Sequence, residues 1–188
     1  MPLVSGMSGM NGMSGTSGMN GMNGMNGIEF FHYPWDDHPT ALVWGIRVDG
    51  TDLRALTARA TRELWRPELA DQFEEEEQER ESAELIWRQH DGLGVLDFTG
   101  NHFLDAADRT PLLGCPCGLW QCWALMARIG TTSTTVTWSA FHQPEREEWG
   151  ELPIGPFAFE RQAYETALRN PPVLPGDPLG PPPAGLGV

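Results

Sequence analysis

The chain has 188 residues, a formal net charge of −14 and a pI of about 4.6, with 40% hydrophobic and 10% aromatic residues. That length suits one domain with tails, and the apolar content excludes wholesale disorder. All 12 basic residues are arginine, and the acidic surplus excludes a protein that grips nucleic acid through its phosphates, which demands a basic surface; the partner such a chain attracts is a protein with a basic surface.

The opening MPLVSGM offers neither a positive n-region nor an apolar h-region, and no stretch approaches the roughly 20 apolar residues of a membrane helix, so a cytoplasmic protein away from membranes is expected. Residues 5–28 are eight Ser/Asn-Gly-Met/Thr/Ile triplets. They lack the proline that stiffens a collagen helix, and residues 1–27 read as a flexible low-complexity tail in which several methionines could serve as the start. Next, HYPWDDH gathers His32, Asp36, Asp37 and His38 beside two aromatics. Pro34 and Pro39 make it read as a polar loop, with imidazole and carboxylate as an alternative metal or acid–base set.

Leu42, Trp44, Ile46 and Val48 alternate with Val43, Gly45, Arg47 and Asp49, the period of a half-buried strand that Asp49-Gly50 ends. From Thr51, a capping residue, Leu53, Leu56, Ala60 and Leu64 mark one apolar helical stripe that stops before Pro67. Phe73 and Ala83 then bracket a run with no apolar residue, a solvated helix or charged linker over 74–84. Its carboxylates Glu74, Glu75, Glu76, Glu77, Glu79 and Glu81 form the candidate docking surface for a basic partner. Leu85, Ile86 and Trp87 bring the chain back to the core.

From residue 93 the texture is β: GVLDF as a short strand, then PLLGCP, CWALMARI and TTVTWSAF as an antiparallel meander, with Val136, Trp138 and Ala140 on one face. A final helix is expected from about Ala158 to Leu168, with Phe159, Ala163 and Ala167 on one side. After Asn170 the proline- and glycine-rich end, with a PxxP match at Pro172 to Pro175, reads as a disordered or extended tail. The expected fold is therefore α+β: an antiparallel meander packed against two or three helices over residues 28–169, with disordered tails at 1–27 and 170–188.

The cysteines fall in GCPCGLWQCW, as Cys115, Cys117 and Cys122. Thiolates at a strand connection can converge on one zinc ion, with His142 or alternatively His102 as the fourth ligand. The spacing equally allows buried structural thiols on one side of a strand, or a reversible Cys117–Cys122 bridge that a reducing compartment opposes. GxGxxG, G-x-S-x-G, P-loop and HExxH motifs are absent, and nothing in the sequence asks for an enzyme.

The run LLGCPCGLWQCWALMARIG, followed by TVTWSAFHQPEREEW and GPFAFERQAYETAL, resembles an uncharacterised family of small acidic actinobacterial proteins. These carry a C-x-C-G-x-x-x-C-W turn, then V-x-W-S-x-F and G-P-F-x-F segments. The resemblance covers about residues 111–168 and implies that the cysteine-tryptophan turn is a defining element. It supplies no reaction or ligand. The function expected from the residues is a non-enzymatic protein-binding module, immunity- or inhibitor-like, using its acidic surface. The alternatives are a small zinc-stabilised protein and an accessory enzyme of a biosynthetic or defence gene cluster.

Overall fold

A computed structural model describes residues 24–36 and 38–188; the triplet repeat as far as Asn23, and Asp37, lie outside the described residues. The α+β expectation holds. A three-stranded antiparallel sheet, β1 (Ile28–Trp35), β2 (His38–Val48) and β3 (Thr51–Asp52), is followed by helices α1 (Leu53–Leu69) and α2 (Gln78–Trp87). Then comes a four-stranded antiparallel meander, β4 (Ala107–Leu113), β5 (Leu125–Thr131), β6 (Thr135–His142) and β7 (Phe157–Glu160), and helix α3 (Arg161–Arg169).

The β2 alternation puts Trp44, Ile46 and Val48 into the main core, and Asp49 (φ 50°) and Gly50 (φ 77°) form the two-residue turn into β3. HYPWDDH is no free loop: His32 to Trp35 belong to β1 and His38 opens β2, so Pro34 and Pro39 sit within strands. Opposite lie Leu125, Ala127, Ile129, Val136, Trp138 and Phe159 of the meander, with Phe30 of β1 and Tyr164 of α3 between. Trp138 donates its indole N–H to the Tyr164 hydroxyl (3.2 Å), which donates in turn to the Phe103 carbonyl (2.7 Å), so the polar atoms at the centre of this core are satisfied.

Three readings of the meander change. GVLDF is not a strand; it only bridges at Gly94 to Val43. Ala140 takes a left-handed conformation (φ 52°), which shifts the register and turns Phe141, rather than Ala140, into the core. The helix expected from Ala158 starts at Arg161, because Phe157–Glu160 pair with β6 and bury Phe159 as strand residues. Glu160 then caps α3 by accepting from the backbone N–H groups of Gln162 (2.9 Å) and Ala163 (2.6 Å).

Helix α1 has two apolar faces where the sequence displayed one. Leu53, Leu56, Ala60 and Leu64 face the main core, while Ala55, Ala58, Trp65 and Leu69 pack on Ala83, Ile86 and Trp87 of α2. Asp52, not Thr51, caps it, accepting from the Arg54 N–H at 2.9 Å. The helix also runs through Pro67 for two further residues, where proline forfeits only the bond to the Glu63 carbonyl.

The C-terminal segment corrects the expectation of a disordered tail. His32 donates its backbone N–H to the Pro172 carbonyl (2.8 Å) and accepts from the Leu174 N–H (2.8 Å), so the PxxP stretch covers the outer edge of β1. Asp177 then meets Arg54, Trp87 donates to the Gly180 carbonyl (3.0 Å), and Leu186 is buried on the α1–α2 cluster. At the other end Asn26 bonds Asp49 (2.7 Å) and Ala158 (3.0 Å), tying the last triplet to both sheets.

Arg54 is 3% exposed and sits 2.8 Å from Asp52, 2.8 Å from Asp177 and 3.7 Å from Asp91. Removing this guanidinium would leave a buried gap among three half-buried carboxylates. Arg54→Met is expected to lower unfolding free energy by about 3–5 kcal/mol in urea titrations; a loss below about 1 kcal/mol, the range of an exposed pair, would show the cluster to be dispensable.

Candidate metal centre

The cysteines lie in the connection between β4 and β5, and both ends of that connection are anchored. At its start Gly114 forms a two-way backbone bridge with Asp91, N–H to carbonyl at 2.9 and 3.0 Å. A side chain at Gly114 would meet Trp120 at 2.9 Å, so only glycine lets the loop fold back on its own tryptophan. Cys115 to Gly118 form a turn, closed by the Gly118 N–H donating to the Cys115 carbonyl at 3.1 Å. Gly118 has φ +88° and lies under the Trp35 ring, 2.7 Å from where a Cβ would stand. This turn replaces the expected strand geometry for Cys115 and Cys117.

At the loop's far end a 3-10 turn, Trp120–Trp123, places its two tryptophans on different clusters. Trp120 packs edge-on against Phe98 at the main core, and Trp123 joins Trp65 and Trp149 beside the helices. Cys122, between them, is left at the surface.

The three Sγ atoms lie within 4.8 Å of one another, Cys117 and Cys122 being exposed and Cys115 half-buried. The Sγ atoms of Cys117 and Cys122 are 3.0 Å apart, and the Cys117 N–H donates to Cys115 Sγ at 3.4 Å. Sulfurs sharing a tetrahedral zinc ion at about 2.3 Å stand about 3.8 Å from each other, so these thiols reach that arrangement by small side-chain movements. Burial, reinforced by hydrogen bonds to the other two thiols, pushes Cys115 up to about 12. Hydrogen bonds from Cys115 and Cys122 lower Cys117, making it the first thiolate. For Cys122 the hydrogen bond with Cys115 favours the thiolate, but the hydrogen bond with Cys117, lost hydration and the charges of Cys117 and Glu145 outweigh it and raise the thiol.

Neither expected histidine joins the sulfurs. The cluster comprises the three cysteines alone. His102 Nε2 is bonded to the Pro111 carbonyl at 2.8 Å, and His142 Nδ1 lies 3.0 Å from the Ala140 carbonyl, held there by the backbone reversal at Ala140. His32, Asp36 and His38 form no such group either: the cysteines are the one metal-competent cluster among the described residues. Glu145 bears on Cys122 through its charge. It follows β6 on a separate 3-10 turn, and no spacing signal connects it with the cysteines.

The glutamates occupy three situations. Glu74 to Glu77 make an exposed turn between α1 and α2, where no ion pair reaches Glu74, Glu75 or Glu76 among the described residues. Glu77 (2.7 Å) and Glu81 (2.8 Å) both pair with Arg80. Glu79 accepts from the Gly185 backbone N–H at 3.2 Å and so holds the C-terminal segment.

Behind the loop, a cavity of about 190 Å³ is lined by Arg54, His90, Asp91, Pro116 and Asp177. His90 is fully buried there with neither ring nitrogen hydrogen-bonded, and burial drives its pKa down to about 3. No protein family, curated protein or solved structure matches the chain, and no helix among the described residues is long and apolar enough to cross a membrane.

His90 also sets a pH dependence. Its folded pKa lies below the unfolded value of 6.5, so between pH 6.5 and about 3 the unfolded chain binds a proton that the folded one refuses. Stability then falls with acidity at up to roughly 1.4 kcal/mol per pH unit from this group. His90→Gln is expected to flatten the profile of unfolding free energy between pH 6.5 and 4; wild-type and variant curves running parallel would contradict it.

Proposed function

We propose that this protein binds one thiophilic cation, zinc foremost, through Cys115, Cys117 and Cys122, leaving the fourth position to water or to a donor from a partner. The observation that carries this reading is the convergence of the three sulfurs within 4.8 Å on a loop anchored at both ends. Soft thiolates select zinc and similar ions over magnesium or calcium. With the loop tied into two hydrophobic clusters, the cation serves as a surface centre on a fold already held by its own core. Reduced thiols suit a reducing compartment such as the cytoplasm.

Titrating metal-free protein with zinc against a chromophoric chelator tests this. One zinc per chain is expected, and serine at any of the three cysteines weakens binding by at least about 100-fold, the upper end of what outer-shell changes cost. His102→Ala and His142→Ala leave the affinity unchanged. Substoichiometric zinc, or binding indifferent to the cysteines, would overturn the proposal.

A second reading rests on the free carboxylates of Glu74, Glu75 and Glu76 and the net charge of −14. These make the α1–α2 turn a docking surface for a basic protein, in the manner of an immunity or inhibitor protein. The two readings are compatible, since they use different side chains. Replacing Glu74, Glu75 and Glu76 together by glutamine is expected to weaken capture of an arginine-rich probe peptide several-fold at low salt. Capture unchanged by the replacement, or insensitive to salt, would contradict it.

A further inference from the structure

Among the three thiols, one pair stands apart. Cys117 and Cys122 have their sulfurs 3.0 Å apart and both side chains exposed, whereas Cys115 is half-buried against the wall of an apolar cavity with Trp35, Phe98 and Trp120. A disulfide needs its sulfurs at about 2.05 Å and its Cβ atoms about 3.5–4.5 Å apart, so closure asks for roughly 1 Å of sulfur movement. Rotation of the two exposed side chains supplies it, the backbone between them keeping the bond from the Cys122 N–H to the Leu119 carbonyl at 3.1 Å. Gly118 stays under the Trp35 ring, and Leu119, 67% exposed, leaves the space around the two sulfurs open. The Asp91–Gly114 bridge lies outside this segment, and Trp120 and Trp123 stay packed while the cysteine side chains turn.

We propose that Cys117 and Cys122 are a peroxide-oxidisable dithiol whose closure to a disulfide takes two of the three sulfurs away from a bound cation. One sulfur attacks the terminal oxygen of a hydroperoxide; the O–O bond breaks, the alcohol (water, for hydrogen peroxide) leaves, and that sulfur becomes a sulfenic acid. The second sulfur attacks the first, the S–O bond breaks, and water departs with the second thiol's proton. The two sulfurs together lose two electrons and the peroxide gains two. A small dithiol reductant reverses the change. Cys115 keeps its thiol throughout, being farther from the surface and held by the Cys117 N–H.

Formation of the disulfide stands on the pair alone; only the release of a cation rests on the metal-binding reading. The experiment therefore has two arms on the full chain. In the first, metal-free wild-type protein is treated with one equivalent of hydrogen peroxide and examined by intact and peptide mass spectrometry. The expected product has lost two hydrogens, carries a Cys117–Cys122 cross-link and still alkylates at Cys115. Cys115→Ser forms it equally well, and Cys117→Ser and Cys122→Ser do not form it. In the second, zinc-loaded protein is oxidised in the presence of a chromophoric chelator, and one zinc per chain is released in step with the cross-link. A cross-link that includes Cys115, a dimer as the main product, or no cross-link in the metal-free protein would overturn the proposal whatever the zinc does. A correct cross-link in a protein that never bound zinc upholds the dithiol chemistry and counts against the metal reading alone. Zinc retained after the Cys117–Cys122 bond has formed would overturn the release step.

Discussion

Asp91 is the residue on which the arrangement of the cysteine loop depends. Its backbone bonds Gly114 in both directions, immediately before the first cysteine, while its carboxylate accepts from the Tyr33 hydroxyl at 2.5 Å and lies 3.7 Å from Arg54. Burial pushes that carboxyl above its ordinary range, and the hydrogen bonds from Tyr33 and Gly92 partly counter the shift. Through this one residue β1, the start of α1 and the loop between β4 and β5 share a single buried polar cluster. Gly92 beside it has no room for a side chain, since a Cβ would stand 2.1 Å from the Trp44 carbonyl, so the Asp91 segment is pressed directly onto β2.

The cluster carries more carboxylates than cations: Arg54 faces Asp52, Asp91 and Asp177. Such a group is stable only when every member is hydrogen-bonded, and the C-terminal segment supplies part of that satisfaction through Asp177. The segment thus has an electrostatic reason to stay docked besides the burial of Leu186. It also shields the β1 edge and buries Ser82 under Val188, which is why a helix so poor in apolar residues at its start still packs. The negative surplus left over is displayed at the turn of Glu74 to Glu76, away from the core.

Much of this is legible in the residues, and what is not has physical causes. Alternation revealed β2 and the central meander strands, because each buries one face against a large core. It missed β7, whose four residues are too short for a period to distinguish strand from the helix that follows. It misplaced the inward residue at Ala140, because a backbone reversal leaves no mark when the residue is not glycine. The second face of α1 was hidden because its first turns carry only the small Ala55 and Ala58, and because Leu69 lies beyond Pro67, the expected end of the stripe. The proline-rich end looked disordered since its order comes from partners distant in sequence, Arg54 and Ser82 above all. At the candidate site the three thiols were legible by spacing. Their turn, the absence of both histidines from the cluster and the charge of Glu145 on Cys122 are properties of tertiary structure alone.

The central claim is that the folded loop presents three sulfurs to one ion and no histidine. Zinc K-edge X-ray absorption on the zinc-loaded full chain addresses it most directly. Three Zn–S scatterers at about 2.3 Å with one lighter oxygen donor, and no imidazole multiple scattering, are predicted. Two sulfurs or fewer, or a clear imidazole contribution, would contradict the account.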